Sequence, residues 1–166
     1  MADRINIGII GYGVVGSGVV KILKNRRKLF RDRYKKDFFI KTICDRSILK
    51  KNPPGLDNTL LTTDINAVLN DPEIQVVVEL IGGMNPAKDI VLRSMRSGKH
   101  VVTANKELIA NCGQELFREA DANNRSIFYE SSVMAGIPVI RMLTEGLAGN
   151  KVNGLYGIIN GTSNYI

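Results

Sequence analysis

Apolar and polar positions along the chain follow two alternating rhythms. Short runs rich in β-branched residues end at glycines or polar turns, and each is followed by a stretch in which apolar residues recur every three or four positions. Residues 5–10 (INIGII) predict a first strand. The glycine-rich turn over residues 11–16 then leads into one long helix, whose Val19, Leu23, Phe30 and Tyr34 fall near helical spacing and form a single buried stripe. A second strand is predicted over residues 38–44, followed by a polar loop around Asn52, Pro53, Pro54 and Gly55 and a short extended piece at residues 60–62. Asp64 is placed to cap a helix over residues 65–69. The nearly continuous run VVVELI at residues 76–81 reads as a buried parallel strand closed by Gly82 and Gly83, with Pro86 opening a helix that reaches about Ser97. Residues 100–103 predict the next strand, then come a helix over 113–123, a strand over 126–129, a helix over 137–147 and an extended segment over 154–159. This alternation implies right-handed crossovers and an α/β fold with a doubly wound, mostly parallel sheet.

Composition changes this picture in only a few places. The 166 residues, 44% hydrophobic and 23% charged, suit a folded soluble domain rather than a disordered chain. No apolar run reaches the ~20 residues of a membrane helix, and since Met1 to Arg4 run straight into the first strand, no signal peptide is expected. Cys44 and Cys112 have no metal-ligand or CxxC spacing and read as free thiols, so the cytoplasm is the expected compartment. Residues 24–36 hold eight basic residues and one acid, which equals the whole net charge of +7. The rest of the chain is neutral, so the excess reads as the solvated face of one helix, and no nucleic-acid partner is expected.

The chemistry lies at the strand ends. Gly11, Tyr12, Gly13, Val14, Val15 and Gly16 form a GxGxxG between an apolar strand and an apolar helix, the context of a Rossmann dinucleotide site. Gly11 permits the tight turn, Gly13 lets a pyrophosphate approach the backbone, and Gly16 allows close packing of helix on strand. Asp45, 29 residues after Gly16, is the candidate for the adenosine ribose hydroxyls and would repel a 2′-phosphate. Its neighbour Arg46, with Lys50 and Lys51 behind it, would do the reverse, which leaves NAD and NADP both open with a slight lean to NAD. Gly82 and Gly83 let a ligand approach the far side of the switch point. Lys106 follows the strand that ends at Thr103, where the nicotinamide end of a cofactor should lie. A partly desolvated lysine there can move the hydroxyl proton during hydride transfer. His100, the only histidine, sits inside a strand and reads as a packing residue. Glu130, followed by small residues and Pro138, offers a carboxylate and free carbonyls to a hard cation, or simply a helix cap.

Taken together, the segments IGIIGYGVVGSGV, VVVELIGG, GKHVVTANKELIA, ESSVMAGIPVI and GIINGTSNYI resemble homoserine dehydrogenase, in order and over essentially the whole chain. The glycine motif is generic, whereas the TANK and ESSVMAGIP segments are far more specific. The resemblance implies interconversion of L-homoserine and L-aspartate 4-semialdehyde with NAD or NADP. It makes Lys106 a catalytic lysine and, with Thr103, a cofactor contact. It implies a monovalent cation, typically sodium, on Glu130 and the carbonyls of Val133, Ala135 and Ile137, and a substrate border at Asn160, Gly161 and Thr162. It also implies a dinucleotide-binding domain over residues 1–150 and, from 151 to 166, the start of a catalytic and dimerising domain that the chain does not contain. Cofactor binding without turnover, and a homo-oligomer in the full-length protein, follow as expectations. Asp45 departs from the family pattern, since many members carry an arginine there.

Overall fold

The computed structural model describes residues 2–56 and 58–157. Six parallel strands form one sheet in the order β3-β2-β1-β4-β5-β6, where β1 is Asp3–Ile10, β2 Lys36–Cys44, β3 Leu60–Thr62, β4 Val76–Glu79, β5 His100–Thr103 and β6 Ile127–Phe128. The order reverses between β1 and β4, and this switch point is where ligands enter sheets of this kind.

Consecutive residues of the central strands face opposite sides of the sheet, as the two-residue strand period requires. Ile9, Ile43 and Val78 pack on one side with Val20 of helix α1 (Val14–Asn25). Ile10, Cys44 and Val77 pack on the other with Val68, Leu69 and Ile90, which belong to α4 (Asn66–Leu69) and α5 (Ala87–Arg96). Val101 extends the core onto α6 (Lys106–Ala122), where Leu108 and Leu116 are fully buried. With apolar residues on both faces, β1, β2 and β4 read as continuous hydrophobic runs, which is why they were legible.

Several elements differ from expectation. The long basic helix is two: it breaks at Arg26 (φ −104°, ψ 7°), and α2 (Arg27–Tyr34) buries no residue fully. Phe30 meets Phe38 edge-on at 5.5 Å, but Tyr34 is 54% exposed, so the stripe does not continue. The break lets Arg27 turn onto Asp37, with bidentate bonds of 2.6 and 2.7 Å that hold the Asp37 carboxyl below its ordinary range. Asp64 accepts the Asn66 N–H at 2.9 Å, but the helix starts one residue later than expected, so its N-cap is Ile65 and Asp64 stands just before it. The strand read over residues 76–81 ends at Glu79, because Gly82 and Gly83 adopt φ of +70° and +69°. The helix read from residue 113 begins at Lys106, capped by the Asn105 side chain. Beyond β6, a short turn of helix α7 (Glu130–Val133) precedes α8 (Val139–Arg141) and a π-helical turn (Met142–Gly146), replacing the single helix expected over 137–147. Residues 154–157 form no regular element. The short α3 (Ile48–Lys51) was not anticipated. Among the described residues, no helix is long and apolar enough to cross a membrane.

Candidate dinucleotide site

The turn from β1 to α1 is held by its backbone. Gly11 stands at φ +103° and donates its N–H to the Cys44 carbonyl at 2.8 Å. A Cβ on Gly16 would lie 2.2 Å from the Gly11 carbonyl oxygen, so the first turn of α1 crosses the loop at a distance only glycine permits. Gly13 differs: a Cβ there meets nothing within 4 Å. No side chain caps α1 and its first turn holds no acid, so the N–H groups and the positive end of a 12-residue helix face outward. A cavity of about 410 Å³ opens there, lined by Gly11, Gly13, Asp45, Arg46 and Gly82 among others. This is where an extended diphosphate fits: Gly13 leaves it room, and the α1 amides can bind it. Tyr12 is half-buried, while Val14 and Val15 are 91% and 57% exposed at the rim.

Asp45 lies at this cavity, and much of its hydrogen-bonding capacity is already taken. Its Oδ2 accepts the Tyr12 N–H at 2.9 Å, and its Oδ1 accepts the Ser47 N–H and hydroxyl at 2.8 and 2.9 Å. Lys51 Nζ donates to the same Oδ1 at 2.9 Å and to the Tyr12 carbonyl at 2.7 Å. The peptide groups of Tyr12 are thus clasped from both sides. Burial acts to raise the Asp45 pKa, but the Tyr12 N–H, the Lys51 ammonium and the Ser47 donors outweigh it and hold the carboxyl well below its ordinary range. Burial, with the charges of Asp64 and Asp45, pushes the neighbouring Cys44 thiol up to about 11, so it is inert.

Across the switch point, Glu79 ends β4 fully buried. Its carboxylate accepts the Ile81 N–H at 2.8 Å and the Thr103 hydroxyl at 2.7 Å. Thr103, read as a cofactor contact, is instead 1% exposed and turned to Glu79, so it supports the site from beneath. Asn105 bonds the Gly83 carbonyl through Nδ2 at 2.6 Å and caps α6 by accepting the Leu108 N–H. Lys106 is therefore the first residue of α6, at the carboxyl edge of the sheet as expected. Its side chain is exposed, so the partial desolvation expected of it is not supplied by the described residues. Neither Glu79 nor Asn105 stands out as a functional residue from its local pattern. Their signal was the polar residue at or just past the end of each buried strand.

Glu130 accepts the N–H groups of Ile140 and Arg141 at 2.9 and 3.1 Å and so bridges to α8. The Ile137 carbonyl accepts the Val139 N–H at 2.8 Å, which uses one of its two lone pairs. The carbonyls of Val133 and Ala135 accept no hydrogen bond among the described residues. A carboxylate and backbone carbonyls, those of Glu130, Val133, Ala135 and Ile137, are the donor types a hard cation takes. His100 accepts the Ser126 N–H through Nδ1 at 3.1 Å and serves the sheet edge. Asn160, Gly161 and Thr162 lie outside the described residues.

An all-parallel sheet with a glycine-rich turn and open helix N-terminus at its switch point defines a Rossmann-type dinucleotide-binding domain. Residues 11–130 match the family described as homoserine dehydrogenase, NAD binding domain, and residues 138–166 match the family described as homoserine dehydrogenase. The chain belongs to the homoserine dehydrogenase family. It is 41% identical over 162 residues to the homoserine dehydrogenase of Bacillus subtilis, and 43% identical over 162 residues to that of Pseudomonas aeruginosa. Each alignment covers 98% of this chain and 37% of the relative, so the chain spans about 37% of their length. The crystal structure of a homoserine dehydrogenase from Thiobacillus denitrificans superposes with a TM-score of 0.89 at 40% identity, over 98% of this chain and 38% of that one. A hyperthermophilic archaeal homoserine dehydrogenase in complex with NADPH superposes with a TM-score of 0.72 at 28% identity, over 88% of this chain and 50% of that one.

Proposed function

We propose that this chain is the nucleotide-binding part of an enzyme that interconverts L-homoserine and L-aspartate 4-semialdehyde with NAD or NADP, in the biosynthesis of threonine, isoleucine and methionine. The observation that carries the reading is the cleft at the β1/β4 switch point, where Gly13 faces open space beside uncapped amides, in a chain of this family. When bound, the nicotinamide supplies or accepts the hydride. The chain's residues hold and orient it. The first-turn amides of α1 bind the pyrophosphate, while Gly82 and Gly83 let the cofactor lie close to β4. Asp45 holds the shape of the turn and keeps one side of Oδ2 for a ribose hydroxyl. Its charge is offset by Lys51, and Arg46 stands exposed beside it, so the cleft admits a 2′-phosphate as well as a free hydroxyl. Lys106 accepts the homoserine hydroxyl proton in oxidation and returns it in reduction, once substrate and the remainder of the protein shield it from water.

In this reading residues 1–150 form the cofactor domain, and residues 151–166, with Asn160, Gly161 and Thr162 at the substrate, begin a second domain through which the longer protein forms a homo-oligomer in the cytoplasm. Glu130 with the carbonyls of Val133, Ala135 and Ile137 would hold a sodium ion at this junction. The test is semialdehyde-dependent oxidation of NADPH or NADH by a protein of the relatives' length carrying this chain. The reading requires turnover that Lys106→Ala lowers by about 10²–10⁴-fold, and absence of turnover in the unsubstituted protein would refute it.

A further inference from the structure

Gly82 and Gly83 both sit in the left-handed region, and a Cβ on either would meet nothing within 4 Å. The turn therefore has no packing of its own to fix it, yet it is the segment that a dinucleotide must approach. What holds it is hydrogen bonding. Glu79 Oε1 accepts the Ile81 N–H at 2.8 Å and, more distantly, the Gly82 N–H at 3.4 Å. Glu79 Oε2 accepts the hydroxyl of Thr103, its register partner on β5, at 2.7 Å. The Thr103 oxygen in turn accepts the Asn105 N–H at 3.0 Å, and Asn105 reaches back to the Gly83 carbonyl at 2.6 Å. The bonds close a ring through two strand ends and their turns, and Lys106 is the next residue in the chain.

We propose that Glu79 is a positioning residue that locks the Gly82–Gly83 turn and the amino end of α6 into one unit, so that a dinucleotide on the turn and the Lys106 amine keep a fixed register. This rests on the reading of the cleft given above. Glu79 is fully buried and forms no salt bridge among the described residues. Burying a carboxylate without a cation opposes folding, and an apolar side chain of similar size would fill the space without that cost. Its use here is the acceptance of donors from two separate turns at once, which no apolar side chain can do. Glutamine has the same shape but replaces one oxygen with a donor. Turned toward Ile81, that NH₂ faces N–H groups. Turned toward Thr103, it takes the hydroxyl oxygen and leaves the hydroxyl proton without an acceptor.

The experiment compares the unsubstituted chain with Glu79→Gln, Thr103→Val, Thr103→Ser and the Glu79→Gln, Thr103→Val double variant. It records amide exchange and ¹⁵N shifts at Ile81, Gly82, Gly83, Lys106 and Leu108, thermal stability, and the Kd for NADP by calorimetry. The proposal expects Glu79→Gln to shift and speed exchange at both turns, the α6 end included, and to weaken NADP binding about tenfold. Thr103→Val should act likewise, Thr103→Ser should not, and Glu79→Gln with Thr103→Val should be less than additive. If Glu79 merely fills space, Glu79→Gln restores the wild-type Kd and leaves the Lys106 amide where it was, which overturns the proposal. If Glu79→Gln does not fold, Thr103→Val decides on the same readouts. If the unsubstituted chain binds no dinucleotide, the cleft reading fails by itself, and the exchange data still decide whether the two turns are coupled.

Discussion

At Gly13 the backbone is extended with a negative φ (φ −89°, ψ −153°), and a Cβ would meet no atom within 4 Å. Gly13→Val is therefore expected to leave the free fold within about 0.5 kcal/mol of its original stability. The added methyls enter the cavity of about 410 Å³ beneath the rim, between the turn and Gly82. They would push a pyrophosphate off the amides of the first α1 turn. Loss of two charge-assisted hydrogen bonds at about 1.5 kcal/mol each amounts to ~3 kcal/mol, or a Kd roughly 100-fold higher. Calorimetric titration with NAD and NADP, run beside thermal unfolding of the same samples, separates the two effects. An unchanged Kd, or a collapse in stability, would refute the reasoning, because either would show that Gly13 serves the fold rather than a ligand.

The neighbouring glycine should behave in the opposite way. Gly16→Ala places a Cβ 2.2 Å from a carbonyl oxygen and is expected to lower stability by about 1–3 kcal/mol, seen as a fall in the denaturation midpoint. Asp45→Ala removes the acceptor that clasps Tyr12 and frees Lys51, so NAD and NADP affinities should fall together, about tenfold by titration, with no swing between them. The same residue sets an acid limit. Asp45 and Asp37 are held below their ordinary value of 3.8, so their contribution is complete above that pH and is lost as pH falls through the lower folded values. Acid titration of stability should steepen below about pH 4, and less so in Asp45→Asn. In a protein of the relatives' length, Lys106→Ala should lower kcat by about 10²–10⁴-fold, and Lys106→Arg should not restore it, since a guanidinium cannot give up its proton. Recovery in the arginine variant would make the role one of charge alone.

Much of this architecture was legible because each central strand buries both faces. INIGII, FFIKTIC and VVVE are apolar enough to stand out, and the glycine turn between the first of them and α1 marks the switch point. The failures have local causes. Periodicity carried the basic helix through Arg26, where nothing in the pattern signals the break that swings Arg27 onto Asp37. The start of α6 was missed because Lys106 and Glu107 are solvated, and the cap that defines it is the Asn105 side chain. At the site, residue types told where a ligand approaches but not which polar groups are already spent. Asp45 read as a free ribose acceptor and Thr103 as a cofactor contact, and only the fold shows the first clasping Tyr12 and the second beneath the surface on Glu79. Such pairings join residues 24 or 33 positions apart, beyond the reach of any local pattern.

A dinucleotide should bind in the cleft between the glycine turn and Gly82. The most direct measurement is titration of the 166-residue chain with NADP and NAD while amide spectra are recorded. Saturable one-to-one binding is expected, with the largest shifts at Gly13, Val14, Val15, Gly16 and Gly82, and no consumption of homoserine by the chain alone. Absence of saturable binding, or shifts gathered instead on the basic surface of α2, would contradict it.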